Sequence, residues 1–266
     1  MTYALDVSRV SKVRDTIKTL IDSHFASTLG REIDVVNIVS ALVQKESSFN
    51  VNSTGKLVSA TPGSLGYKYL RSSAISAKYA TANPTETANL DKGRVAIGLM
   101  QIMGWNIIKG GSPDGVCEVQ RIRPDLAGSL VINPGEDPFA VMLGESNMSN
   151  AILAGLVVLD GKYKAVYETP AGYSVKGDKY KRNFYSKISA AVAAYVGLGK
   201  ADLNGTTPEA YSNSIVGGDA YAVANGKGSI KIYDSKITIA SSNGPSTNGS
   251  SQSRVGSAGC TPPKQA

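Results

Sequence analysis

The stretch DVVNIVSALVQKESSFN, Asp34 to Asn50, decides how this chain is read. Val35, Ile38, Val39, Leu42 and Val43 recur at steps of three and four, the spacing of one helix face, and Asp34 stands where an N-cap belongs. Glu46 continues the same stripe and is therefore expected on its buried side. Desolvation disfavours a charged carboxylate, and a protonated acid near neutral pH is what general acid catalysis requires. The position equally allows Glu46 to sit in the helix's last turn and reach solvent or a buried partner.

Outward from this helix, the pattern stays helical on both sides. Val10, Val13, Ile17, Leu20 and Ile21 mark a helix between Val7 and Phe25, with Gly30 punctuating the gap before Asp34. From Val51 to Arg94 the chain is rich in Ser, Thr, Ala, Gly and Tyr, with TPGSLGYKYL read as turning and SSAISAKYATA as a short helix. The apolar VAIGLMQIMGWNII follows, then a region from Gly110 to Pro138 punctuated by Gly and Pro. PFAVMLGESNMSNAILAGLVVLDGKYKAVY is expected as one long helix with its apolar face at Ile152, Leu156, Val157 and Leu159. NFYSKISAAVAAYVGLG is expected as another, ending at Gly197 and Gly199. A last helix starts near Pro208, and SIKIYDSKITIA alternates around Asp234 and Ser235 as a small β-hairpin.

The expected fold class is therefore mainly α, with long loop insertions at about 51–94 and 104–138. A helical domain over 1–217 is followed by a β-hairpin extension over 218–240 and a low-complexity tail over 241–266, too small and polar to bury a core alone.

With 266 residues and 42% hydrophobic content, the chain is long enough for an enzyme core. The net charge of +7 points to an anionic partner: nucleic acid, a membrane surface or an acidic cell-wall polymer. The N-terminal sequence lacks a basic region followed by a long apolar run, and no stretch is long enough to span a bilayer, so a soluble protein without a signal peptide is expected. Cys117 and Cys260 are read as free thiols. His24 is the one histidine, which excludes a multi-histidine zinc site within this chain; no metal and no cofactor are expected. Pairing Cys117 with His24 is the remaining nucleophilic option, but no motif supports it. Between Lys162 and Lys187, Lys and Arg alternate with Tyr and Phe, a composition that can stack on sugars or nucleobases and equally fits a solvated helix end and loop. No nucleic-acid-binding motif stands behind it, so nucleic acid is not the expected partner.

Three segments in order, ESSFN at 46–50, GLMQIM at 98–103 and AAYVGLGK at 193–200, resemble the motifs of the soluble lytic transglycosylase family, relatives of goose-type lysozyme. DPFAVMLGESNMSNAILAG also looks like that family's Asp-Pro followed by a helix carrying Ala-Gly, so the resemblance runs from about Asp34 to Gly217. It implies a lysozyme-like helical domain that cleaves the MurNAc–GlcNAc bond of peptidoglycan, with Glu46 as acid and then base. It also implies that Ser47, Gln101 and Met103 contact substrate, that Gly98 allows close packing beneath the glutamate, and that the Tyr195 hydroxyl orients its carboxyl group. Read from the residues alone, Tyr195 fits core packing as well, and so do Gln101 and Met103.

The sequence departs from the family at Val196, where Asn is usual, at Lys92, where a serine is typical, and in the long interval between Glu46 and Gly98. Two chemistries stay open. Ring closure by the sugar's own C6 hydroxyl gives 1,6-anhydroMurNAc, whereas inverting hydrolysis needs a second carboxylate roughly 6.5 to 9.5 Å from the first. Asp91 and Glu86 are the candidates for that second group. A non-catalytic wall-binding virion component is the alternative from another class. The expected setting is a phage tail or virion lysin acting in the host periplasm or cell wall, with peptidoglycan strands as substrate and baseplate or tail proteins as partners of the C-terminal tail.

Overall fold

The helix Met148–Lys164 is the axis of the structure: Met148, every residue from Ala151 to Asp160, and Tyr163 are buried. A helix apolar on all sides belongs inside a core rather than on its surface. The computed structural model describes residues 7–112, 115–198 and 207–216, together with the backbone pairing of 230–232 with 235–237.

Along the chain the helices and strands are α1 (Val7–His24), α2 (Val35–Ser47), α3 (Leu65–Leu70), α4 (Ser73–Tyr79), α5 (Pro84–Lys92), β1 (Ala96–Ile97), β2 (Ile102–Met103), α6 (Glu118–Ile122), α7 (Ala127–Leu130) and α8 (Pro138–Met142). They continue with α9 (Met148–Lys164), β3 (Val166–Thr169), β4 (Gly172–Val175), α10 (Lys187–Val196), α11 (Pro208–Ile215), β5 (Ile230–Ile232) and β6 (Ser235–Ile237). Helix α9 packs on α10, α1, α6 and α8, while α11 lies across α10 and α2. The fold is mainly helical, as the periodicity indicates, and among the described residues the strands pair as antiparallel twos: β1 with β2, β3 with β4, β5 with β6. The last pair is the hairpin expected around Asp234 and Ser235. No described helix is long and apolar enough to cross a membrane.

Helix α2 follows its stripe, with Val35, Ile38, Val39, Leu42 and Val43 buried, and Ser40, Ala41 and Gln44 buried as well. It is embedded rather than merely amphipathic. Asp34 does occupy the N-cap, in a left-handed backbone at φ 59°, but its side chain makes no capping hydrogen bond.

Three expectations are corrected. The segment from Pro138 to Tyr167 is not one helix: α8 stops at Met142, Gly144 at φ 91° turns the chain, a 3-10 turn covers Glu145–Asn147, and α9 starts at Met148. Its end, Val166 and Tyr167, leaves the helix for β3, because the hairpin partner Val175 pairs with Val166 and seals the core edge. TPGSLGYKYL is not all turn, since the Ser64 hydroxyl accepts from the Tyr67 amide at 3.0 Å and caps the short α3.

The stretches 51–94 and 104–138 share a small core of their own. Tyr69, Ile75 and Leu90 from the first pack with Ile108 and Ile132 from the second, apart from the main apolar cluster that runs from Val13 to Ile215. Lys92 ties this unit to the main body: its Nζ donates to Asp137 Oδ2 at 2.6 Å and to Asn89 Oδ1 at 3.0 Å. Asp137 Oδ1 in turn accepts from the Phe139 amide at 2.9 Å and caps α8. The residue standing where the resembled family has a serine therefore joins α5 to α8.

Gly155 in α9 lies against Met100 of the GLMQIM segment. A Cβ there would meet Met100 Sδ at 2.4 Å and Met100 Cβ at 2.5 Å. Gly155→Ala is expected to lower stability by about 1–3 kcal/mol through overpacking, read as a lower midpoint in thermal melting. An unchanged midpoint would mean that Met100 swings aside at no cost, and that this contact does not fix the segment.

Candidate functional site

Helix α2 ends with Glu46 half-buried in its last turn, so the stripe carries the carboxyl group to the rim of the core rather than into it. The chain then bends abruptly. Ser48 and Phe49 both take left-handed backbone, at φ 53° and 60°, and Phe49 is buried. Gln101 is left-handed too, at φ 49°. Of the five described non-glycine residues with positive φ, these three fall in two of the motif segments. Such conformations cost energy that surrounding contacts must offset, and they cluster at functional sites.

The carboxyl group is held from α11. The Tyr211 hydroxyl donates to Glu46 Oε1, and the tyrosine itself is only 4% exposed. Pro208, Tyr211, Ser212 and Ile215 form the buried face of α11 at steps of three and four. That face is fixed to α10 by a buried serine pair: Ser212 Oγ donates to the Ser189 carbonyl at 2.8 Å, and the two hydroxyls lie 2.9 Å apart. A short helix with this little apolar area needs such a lock to hold one phenol in place.

Tyr195 arrives from α10, but its hydroxyl donates to the Met100 carbonyl at 2.7 Å rather than to Glu46. Desolvation pushes this phenol well above its ordinary value, and the negative charge of nearby Glu46 adds to the rise. The residue therefore joins the three motif segments: it stands on α10, it is bonded to the GLMQIM segment, and it lies within electrostatic reach of Glu46.

Gln101 is turned back on the backbone. Its Nε2 donates to the Gly98 carbonyl at 2.8 Å and to the Ser53 carbonyl at 3.1 Å, closing the β1–β2 turn onto the loop after α2. Gly98, at φ 77°, brings that turn against α9, where a Cβ would stand 3.1 Å from Ala151 Cβ. Met103 is half-buried in β2, paired with Ala96. Ser47 is 8% exposed and its hydroxyl donates to the Val43 carbonyl at 3.0 Å, within its own helix. Val196 is 37% exposed at the last residue of α10, before Gly197 at φ 103°.

Asp91 and Glu86 serve the insertion core. Glu86 pairs with Lys78 and accepts from the Asn83 amide at 3.0 Å, closing a capping box on α5. Lys78 first, and then that amide, hold its carboxyl below the ordinary carboxylate range. Asp91 Oδ1 accepts from the Tyr79 hydroxyl at 2.7 Å and from Arg94 at 2.8 Å.

No family model, curated protein or solved structure matches the chain.

A half-buried carboxyl, fixed by a phenol at one oxygen and backed by a strained turn with Phe49 buried, is equipped to pass a proton to or from a group in front of it. Among the described residues no group of three or more His, Cys, Asp or Glu side chains is placed to hold a metal ion. Cys117 is buried and unpaired by disulfide, and His24 is half-buried at the end of α1. A shallow groove of about 580 Å³ opens elsewhere, between α1 and Ser149, and its lining includes Lys12, Asp15 and Thr16 but none of the residues around Glu46. It has no titratable group beyond an exposed Lys and Asp and carries no chemistry of its own.

Tyr211 was not marked as a site residue by the sequence. The signal was present in PEAYSNSI, where Tyr falls on the apolar stripe with Pro208 and Ile215. A tyrosine whose polar tip is directed into a core needs a partner there. The 241–266 tail, Cys260, Gly199, the 217 boundary and the Asp234 turn lie outside the described residues.

Proposed function

We infer that the chain is a peptidoglycan lytic transglycosylase, carried by a phage particle to open the cell wall locally, with Glu46 as its single acid and base. The observation that carries this reading is that Tyr195, bonded to the 98–103 turn, lies within electrostatic reach of Glu46, whose carboxyl group is held by Tyr211. These are the three segments on which the resemblance rests; Tyr195 stands 95 positions from the Met100 it is bonded to, and Tyr211, outside those segments, stands 165 positions from Glu46.

In the proposed reaction, protonated Glu46 donates to the glycosidic oxygen, and positive charge develops at C1 of MurNAc as the bond breaks. The resulting carboxylate takes the proton of the sugar's own C6 hydroxyl as that oxygen closes on C1. Tyr211 keeps the carboxyl group in one orientation through both steps. The strained turn at Ser48 and Phe49 fixes where the helix ends, and therefore where the acid stands. Gln101 and Ser47 support the site through backbone bonds, Gln101 by holding the turn and Ser47 by closing the last turn of α2.

The anhydro outcome is favoured over hydrolysis because Asp91 and Glu86 are engaged in ion pairs and a helix cap within the insertion core. A carboxylate held low by a lysine is a weak base for activating water. Mass spectrometry of digested sacculi tests the choice: fragments should end in 1,6-anhydroMurNAc, lighter by one water than a reducing end. A digest dominated by reducing ends would make the enzyme a hydrolytic muramidase.

A further inference from the structure

One surface next to this site has no part in the chemistry above. Residues 162–187 carry seven basic side chains against two acidic ones, five of the chain's seven net positive charges. One of the two acids is turned inward. Asp178 is 9% exposed, its Oδ1 accepting from the Tyr180 amide at 3.0 Å and its Oδ2 from the Arg182 amide at 3.1 Å. Lys176, Lys179 and Lys181 point outward around it, in a loop bent by Gly177 at φ 83° and Lys181 at φ 50°. Like charges gathered on one face repel, so folding alone gives no reason for them.

Aromatic rings stand among these charges. Tyr167, Tyr180 and Tyr185 are more than half exposed, and Tyr180 has Lys179 Nζ at 4.9 Å and Arg182 Cζ at 4.5 Å from its ring centre. The backbone beneath them is firm: β3 pairs with β4, and Tyr173 and Phe184 exchange two backbone hydrogen bonds at 2.8 Å each. Rings that lie beside ammonium groups on a fixed surface suit a ligand in which sugar faces alternate with acidic substituents.

The same face borders α11. Arg182 donates to the Leu198 carbonyl at 2.7 Å and pairs with Glu209 at 2.9 Å, while the Tyr185 hydroxyl donates to the Val216 carbonyl at 3.1 Å. Both ends of the helix that places Tyr211 on Glu46 are therefore joined to the basic loop. A ligand reaching both places is a polymer running along this wall.

We propose that the 176–187 face is a grip for the carboxylate groups borne by the wall glycan, binding them while the strand lies at Glu46. This rests on the peptidoglycan reading and adds a substrate preference: strands with free carboxylates over strands whose carboxylates are blocked. Continuity with the Glu46 wall favours the glycan over a nucleic acid, whose phosphates the same lysines can also pair.

The test uses the full chain with Glu46→Gln, so that sacculi stay intact, and measures co-sedimentation. The sacculi are either untreated or have their carboxyl groups amidated with carbodiimide and ethanolamine. One exposed ammonium–carboxylate pair contributes only a few-fold in affinity, so Lys176→Gln, Lys179→Gln and Lys181→Gln together should weaken binding about tenfold. Amidation should weaken the parent by a similar factor and the triple variant hardly at all. Binding of the parent should also fall as salt rises.

Equal binding of parent and triple variant to untreated sacculi would overturn the proposal. So would equal losses for both on amidation, or displacement of the parent by duplex DNA at concentrations where a soluble carboxylated wall fragment fails to compete. If the triple variant melts early, Lys176→Gln alone carries the comparison. Lack of cleavage by the native chain, with this coupling intact, would sink the enzymatic reading and not the grip; cleavage without the coupling would do the reverse.

Discussion

Glu46→Gln is expected to abolish clearing of purified sacculi while leaving the melting midpoint near that of the native chain. The amide has almost the shape of the carboxyl group and can still accept from the Tyr211 hydroxyl, so the α2–α11 contact survives. It has no proton to give to a glycosidic oxygen. Loss of general acid catalysis commonly costs two to four orders of magnitude, and here one group is asked to act first as acid and then as base. The residual rate should therefore fall below detection in a zymogram. Clearing at the native rate by a well-folded Glu46→Gln chain would refute the enzymatic reading and leave a wall-binding component.

Tyr211→Phe should reduce turnover by about tenfold to a hundredfold, more than its effect on stability implies. A hydrogen bond to a charged group is worth about 1.5–3 kcal/mol, and if it is felt in the transition state that range corresponds to about this loss of rate. The ring stays packed in the α11 face, and the Ser189–Ser212 lock is untouched. Tyr195→Phe is the comparison. Its hydroxyl is bonded to the Met100 carbonyl, so its removal should appear first in melting, at about 1 kcal/mol, and less in turnover. Kinetics on soluble glycan fragments with parallel melts separates the two. If Tyr195→Phe proves the more damaging to turnover, the orienting role returns to Tyr195 and Tyr211 becomes a packing residue.

The candidate site was legible in part. Glu46 was marked by a local rule, the continuation of an apolar stripe, which puts it on the buried side; the structure leaves it half-buried, because the helix ends there at the rim of the core. Gln101 and Ser47 show where residue type alone falls short. A glutamine or serine side chain can face a ligand or bond its own backbone, and only the conformation distinguishes the two: Gln101 reaches Gly98 and Ser53, and Ser47 reaches Val43. The break at Gly144 was hidden for a different reason. Apolar periodicity continues on both sides of it, and a glycine inside such a pattern gives little local warning of the turn it makes at φ 91°.

By itself the sequence determined that the chain is mainly helical, that α1, α2, α10 and α11 form near their observed places, and that 230–232 pairs with 235–237. These properties follow from spacing within a dozen residues, which side-chain burial on one face enforces directly. Only the tertiary structure decided which hydroxyl reaches Glu46. Tyr195 and Tyr211 lie 149 and 165 positions beyond Glu46 respectively, and nothing local to either distinguishes them. The crossing of α11 over α10, fixed by two buried serines, turns Tyr211 toward the carboxyl group, while the close approach of Met100 to Gly155 leaves a backbone carbonyl in front of Tyr195. That choice is made by packing between elements distant in sequence, where a contact depends on how whole helices seat against one another.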